Sequence, residues 1–332
     1  MATYKGIQGY TVQNLSSDPT ASSATVGQLW YNSAAGKFKL GVSSAGAFAT
    51  GGDLNTGRIT SGSSIKGPNT ATIVFGGYTP SQPNGMTVNE EYDGSTWTEL
   101  TGLNNARWAM SGWGISTSAM AGPGNNPSSS AYVNYNETWN GSAWTEITDM
   151  ASPKRAYASA GASNTAGIFF GGANPPSGYL GTNEEWNGSS WSEKADLTTP
   201  RATMKGSGTS TSAIVGGGGN PGRVALCESW NGTAWTETTN INTARESTTA
   251  GGTDNTNAII MGGNDGSNTG KTESWNGTSW TEVADMATAR SEGSGSGSSN
   301  SNAIVMGSSG GPTKDTEVWN DPVYSIKTVT VS

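Results

Sequence analysis

Apolar positions along this chain come in two recurring forms. The first is a short unbroken run closed by glycine, as in Ile73-Val-Phe-Gly-Gly77, Ile168-Phe-Phe-Gly-Gly172 and Ile259-Ile-Met-Gly-Gly263. Such a run, bounded by turn residues, reads as a buried strand. The second is a pair of tryptophans in polar sequence: Trp139-Asn-Gly-Ser-Ala-Trp144, Trp186-Asn-Gly-Ser-Ser-Trp191, Trp230-Asn-Gly-Thr-Ala-Trp235 and Trp275-Asn-Gly-Thr-Ser-Trp280. Tyr92-Asp-Gly-Ser-Thr-Trp97 is a divergent copy and Trp319-Asn-Asp-Pro322 a truncated one. The leading aromatics Tyr92, Trp139, Trp186, Trp230, Trp275 and Trp319 recur every 44 to 47 residues. A period of that size means one supersecondary unit repeated.

Residues 155–191 predict the unit. Arg155 opens a strand of small residues, Ser163-Asn-Thr165 turns, and Gly167-Ile-Phe-Phe170 forms the buried strand. A loop rich in Pro and Gly follows, and two further strands flank Asn187-Gly188. Asn-Gly predicts a two-residue type I′ hairpin, since both residues tolerate positive φ. That register sets Trp186 opposite Ser189 and Glu184 opposite Trp191, with the two tryptophans as diagonal neighbours on one face. One four-stranded sheet cannot cover such a face, so sheets must stack. We letter the strands of each unit a to d.

Charged positions keep the period. Arg58, Arg107, Arg155, Arg201, Arg245 and Arg290 each open strand a, and Glu90, Glu137, Glu184, Glu228, Glu273 and Glu317 precede the first aromatic of strand c by two. From the second Trp to the Arg is ten residues in several units. Repeated charges serve repeated scaffold, so structural Arg–Glu pairs are expected and no catalytic ring.

The set Ile259-Ile-Met-Gly-Gly263, Trp275, Trp280, Met286 and Arg290 resembles the kelch repeat, over roughly residues 46–320. The resemblance implies an all-β propeller of four-stranded antiparallel blades, and no single activity. Kelch units usually have a longer c–d turn than the two residues expected here. Six leading aromatics predict six blades. The last hairpin is broken by Pro322, and Phe48 stands ten residues before Arg58, so a strand around Phe48 is predicted to close the sixth blade. Seven blades is the alternative, if residues 28–50 form a partial blade.

Residues 1–45 read as a separate arm and 321–332 as a strand-like tail, at a sheet edge or added to a partner. In the arm, Trp30 and Phe38 look like aromatic anchors, and Gly27-Gln-Leu-Trp-Tyr-Asn32 with Gly36-Lys-Phe-Lys39 resembles hairpins near the N-termini of tailed-phage structural proteins.

Composition narrows the function. Hydrophobic residues make up 33% of the chain and charged residues 13%, with 49 Gly and 13 Trp, which suits short strands and an aromatic core. A net charge of −8 without a basic stripe argues against nucleic-acid binding. No apolar run suggests membrane insertion, and the N-terminal residues lack the apolar core of a secretory signal. Cys227 stands alone and reads as a small buried group. The chain has no histidine, the commonest general base and metal ligand, so no catalytic residue, metal or cofactor is expected. The Asn-Gly-Ser/Thr triplets match glycosylation sequons, but the turn accounts for them. Gly216-Gly-Gly-Gly219 reads as a strand end, and Asp254-Asn-Thr-Asn257 and Asn264-Asp265-Gly266 as turns rather than calcium ligands. Asp93-Gly-Ser-Thr-Trp97 is similar to the Asp-box of sialidases but lacks the leading serine.

What varies between units is the b–c loop, and variable loops on a rigid scaffold usually carry binding. Tyr78, Tyr132, Tyr179 and Arg223, with the off-pattern Trp108, are the candidates. The expectation is a non-enzymatic virion protein of a tailed phage, first a tail fibre or host-recognition propeller. It would assemble in the host cytoplasm in several copies, attach to other virion proteins through residues 1–45, and meet a host surface glycan or protein. Capsid decoration or a baseplate accessory subunit comes second, then a cellular protein-interaction propeller, and last a glycoside hydrolase.

Overall fold

A computed structural model describes residues 12–126, 128, 132–174, 178–307 and 311–330. The first eleven residues of the arm, parts of two candidate loops (127, 129–131 and 175–177) and Val331 of the tail lie outside the described residues. The chain forms two compact units, Phe48–Asn320, and Met1–Ala47 with Asp321–Ser332.

The larger unit is a six-bladed β-propeller. In blade 3, strand a (Ala158–Ser163) pairs with b (Ala166–Phe170), b with c (Asn183–Trp186), and c with d (Trp191–Lys194), all antiparallel. The six a strands are Gly62–Ser63, Gly112–Ile115, Ala158–Ser163, Lys205–Gly208, Thr249–Asp254 and Ser294–Ser299. Each touches the a strand of the blade before and after it, around a closed ring. The glycine and serine bias of these strands follows from that convergence. A Cβ at Gly251 would stand 2.8 Å from the Gly297 Cα. Side chains larger than hydrogen there would push two blades apart.

Each inter-blade gap holds one apolar cluster, and in each the aromatic pair of one blade covers strand b of the blade before. Trp230 and Trp235 lie on Ile168 and Phe170, with Leu197 and Met204 completing that cluster. Trp275 and Trp280 likewise meet Ile214 and the buried Cys227. The last gap, between blades 6 and 1, joins Ile304 and Met306 to Tyr92 and Trp97. In blades 2 to 6 the first aromatic is a tryptophan that donates its indole N–H to the a–b turn of its own blade, as from Trp230 to the Ser210 carbonyl at 2.8 Å.

The c–d turn differs from expectation. Trp186 pairs directly with Trp191, and Glu184 with Glu193, so the loop has four residues, 187–190. Gly188 takes φ +95° and Asn187 does not enter the positive-φ region, which a type I′ turn requires of both. The Asn187 carboxamide oxygen instead accepts the N–H groups of Ser189 and Ser190, at 3.0 and 2.9 Å. That side-chain cap does locally what a mirror-image turn would do. The tryptophans are thus a directly opposed pair with rings 5.3 Å apart, still on one face. The supposed shortness of this turn relative to kelch units disappears.

Closure follows the expected route. Ala47–Thr50 is the outer strand of the sixth blade, beside Thr316–Asn320, and Phe48 lies 5.1 Å from Trp319. Leu29–Asn32 and Lys37–Ser44 make no seventh blade. They form the smaller unit's sheet with Gln13–Leu15, parallel to the first of them, and with Val323–Thr328 at the far edge. In that unit Trp30 is buried, and its indole N–H and the Asn32 amide both donate to Asp18. Those two hydrogen bonds hold the Asp18 carboxyl below its usual range. Phe38 packs on Tyr31 yet stays exposed.

The ion pairs repeat with one exception. Arg58–Glu90, Arg107–Glu137, Arg201–Glu228, Arg245–Glu273 and Arg290–Glu317 are buried pairs. In blade 3 the partner of Glu184 is Lys154, at 3.2 Å, and not Arg155. Lys154 is the residue ten after Trp144, so the spacing selects it and the residue type misleads. We expect Lys154→Ala to cost about 3 kcal/mol, because it leaves Glu184 buried and unpaired. Arg155→Ala should change stability by less than about 0.5 kcal/mol. Urea unfolding midpoints of the two variants check this.

Candidate functional site

Past each buried cation the chain turns sharply into strand a. The residue two after it takes a left-handed conformation in every blade: Thr60, Ala109, Ala156, Thr203, Ser247 and Glu292, with φ between 53 and 58°. Such strain in residues other than glycine persists only where the surroundings over-determine it. Here five backbone hydrogen bonds, running from blade to blade around the ring of six, do so. The N–H of Thr60 donates to the Glu292 carbonyl, Glu292 to Ser247, Ser247 to Thr203, Thr203 to Ala156, and Ala156 to Ala109.

This ring surrounds a cavity of about 530 Å³ at the end of the propeller formed by the b–c loops and d–a junctions. Scaffold positions are six-fold alike, but the cavity lining is not. Trp108, Met110, Tyr157 and Met204 give apolar walls, with Tyr179 at the edge. Arg155 from blade 3 and Lys205 from blade 4 bring two cations, and Glu292 from blade 6 faces blade 3 across the six-membered ring. Lys205 Nζ donates to the Met110 carbonyl at 3.1 Å. Burial, with no acid beside it, pushes its ammonium down to about 8. Burial, and then Glu246, raise the Glu292 carboxyl. Among the described residues neither Arg155 nor Glu292 forms an ion pair.

The sequence candidates gather at this end. Trp108 and Tyr179 line the cavity, and Tyr78 packs on Trp108 with ring centroids 5.3 Å apart. The Tyr132 ring lies under the Arg155 guanidinium at 5.1 Å. Arg223 reaches Glu246 at 3.5 Å, one position before the left-handed Ser247. Arg155, Lys205 and Glu292 were not among the candidates. The place of Arg155 in the periodic arginine series reads as scaffold, and the other two sit in Gly/Ser/Thr-rich sequence whose placement at the axis only the ring reveals. The turns set aside as metal sites are occupied locally, with Asp254 capping Thr256 and Asp265 bound to Lys271 at 2.9 Å.

Lys205 carries a pH signature. Its folded value lies near 8 against an ordinary 10.5, so between those values the unfolded chain binds more protons and stability rises with pH. We expect a gain of about 1–3 kcal/mol from pH 8 to 10.5 that Lys205→Met lacks, read from urea unfolding at both ends.

No protein-family model and no curated protein matches the chain. Among solved structures the fold is similar to YjhT, at a TM-score of 0.65 and 13% identity, over 83% of this chain and 99% of that one. At that identity the likeness is one of propeller fold.

Proposed function

We propose that this chain is a non-catalytic recognition propeller of a tailed-phage particle, a tail fibre or host-recognition subunit that binds a surface glycan or protein with its cavity end. The observation that carries the reading is the asymmetric cavity on a six-fold scaffold, at the end where the variable loops lie. The smaller unit supplies the attachment. Its hairpin has the phage-type pattern, and Val26, Leu29 and Phe38 expose apolar side chains there. Several copies on one particle would turn a weak contact into durable adhesion.

Mass spectrometry of purified particles tests the location, and a glycan array with wild type and Trp108→Ala tests the site. The protein in the particle, with array binding lost in Trp108→Ala, supports the proposal. Particles without the protein, or array binding indifferent to Trp108, overturn it.

A second reading rests on Glu292, whose raised carboxyl beside the cavity suits a general acid. Turnover of an array glycan that Glu292→Gln abolishes would favour a hydrolase.

A further inference from the structure

Blades 3 and 4 bring two cations to one cavity, and among the described residues no carboxylate pairs with either. Arg155 lies on the Tyr132 ring, among the described residues forms no ion pair, and lines the cavity. Lys205 has three N–H donors, and among the described residues its hydrogen-bond partner is the Met110 carbonyl. A half-buried ammonium held by one neutral carbonyl is an expensive arrangement. Each fully buried cation at the blade entrances meets a glutamate. The missing carboxylate is therefore one that a ligand would bring.

The rest of the lining says what else the ligand carries. Glu292 lies on the opposite side of the ring, and Thr60, Thr203, Ser247 and Thr248 line the cavity with hydroxyls. A carboxyl there accepts from, or donates to, hydroxyl groups, whereas it would repel a second anion. Trp108 and Tyr179 offer flat faces to a ring. Resting on the recognition reading above, we propose that the axial cavity binds a uronate-type sugar, a pyranose bearing one carboxylate. The carboxylate lies on the Arg155 and Lys205 side, and the ring hydroxyls turn toward Glu292. The volume admits one or two such rings.

Calorimetric titration of the full chain tests this, with methyl glucuronide, methyl galacturonide and methyl glucoside as probes. At least one uronide is expected to bind, with the neutral glucoside about tenfold weaker or more. Lys205→Met and Arg155→Gln should each weaken that uronide about tenfold while both variants remain folded by circular dichroism. A chain length arm, comparing the monosaccharide glycoside with an oligogalacturonide, separates a free sugar from a residue of a glycan. Equal binding of uronide and glucoside, absence of binding by both uronides, or wild-type affinity in both variants overturns the proposal. If it falls while array glycans still depend on Trp108, the recognition reading stands and only the acidic ligand is wrong. If the array is blank as well, both fall.

Discussion

Glu228→Ala costs the propeller about 3–5 kcal/mol, among the largest effects expected of any single substitution in this chain. Glu228 is fully buried, and its carboxylate meets Arg201 and accepts the Thr198 N–H at 2.7 Å. Truncation leaves the guanidinium in a site that water does not reach, with carbonyl partners only, at Gly217 and Thr199. The cost is the orphaned charge rather than the worth of the pair. Two controls separate those quantities. Glu237→Ala alters the residue directly across the sheet from Glu228, exposed to solvent, and should stay within about 0.5 kcal/mol. The double variant Arg201→Met with Glu228→Met should recover most of the loss, because neither charge is then stranded. Urea midpoints of the four proteins decide it, and an equal penalty for single and double variants would mean the pair itself supplies the stability.

Removing residues 1–51 is expected to be as damaging, and removing 1–45 much less so. The shorter deletion keeps Ala47–Thr50, while the longer one strips the outer strand from the sixth blade. Thr316–Asn320 then becomes an open edge, and Trp319, 1% exposed, loses Phe48 from its face. Loss of that aromatic contact and of the neighbouring burial amounts to about 3–5 kcal/mol. In a domain of this size that lowers the melting temperature by about 10 °C. An unpaired edge also invites association with another chain. Calorimetry and light scattering of the two deletions should differ in both respects. Equal melting temperatures and a monodisperse longer deletion would show that closure contributes little.

The blade was legible because its markers are local. Tryptophan, glycine and the ten-residue step to the buried cation repeat, and even the gap after Trp319 pointed to Phe48. The turn misled because Asn-Gly has two solutions, and the choice of the side-chain cap depends on Ser189 and Ser190 being free to extend the loop. Arg155 misleads because blade 3 carries a lysine, Lys154, at the position ten after Trp144 of the preceding blade, the step at which the other blades carry arginine. The cavity could not be read at all. Its lining comes from short stretches of all six blades, some 45 residues apart in the chain. What unites them is their place on a ring, and their chemistry differs at every step. Repetition makes a scaffold visible in sequence, and the departures from it become a site only when the ring brings them together.

Phe48 and Asn320 belong to neighbouring strands of a single blade. The propeller is therefore a closed cassette with one doorway, entered and left at the same place. A whole repeat could be gained or lost between blades 1 and 5 without moving the doorway, and a different propeller could be spliced there without rebuilding what lies outside it. Diversification of the binding end is in this way uncoupled from whatever the flanking segments hold.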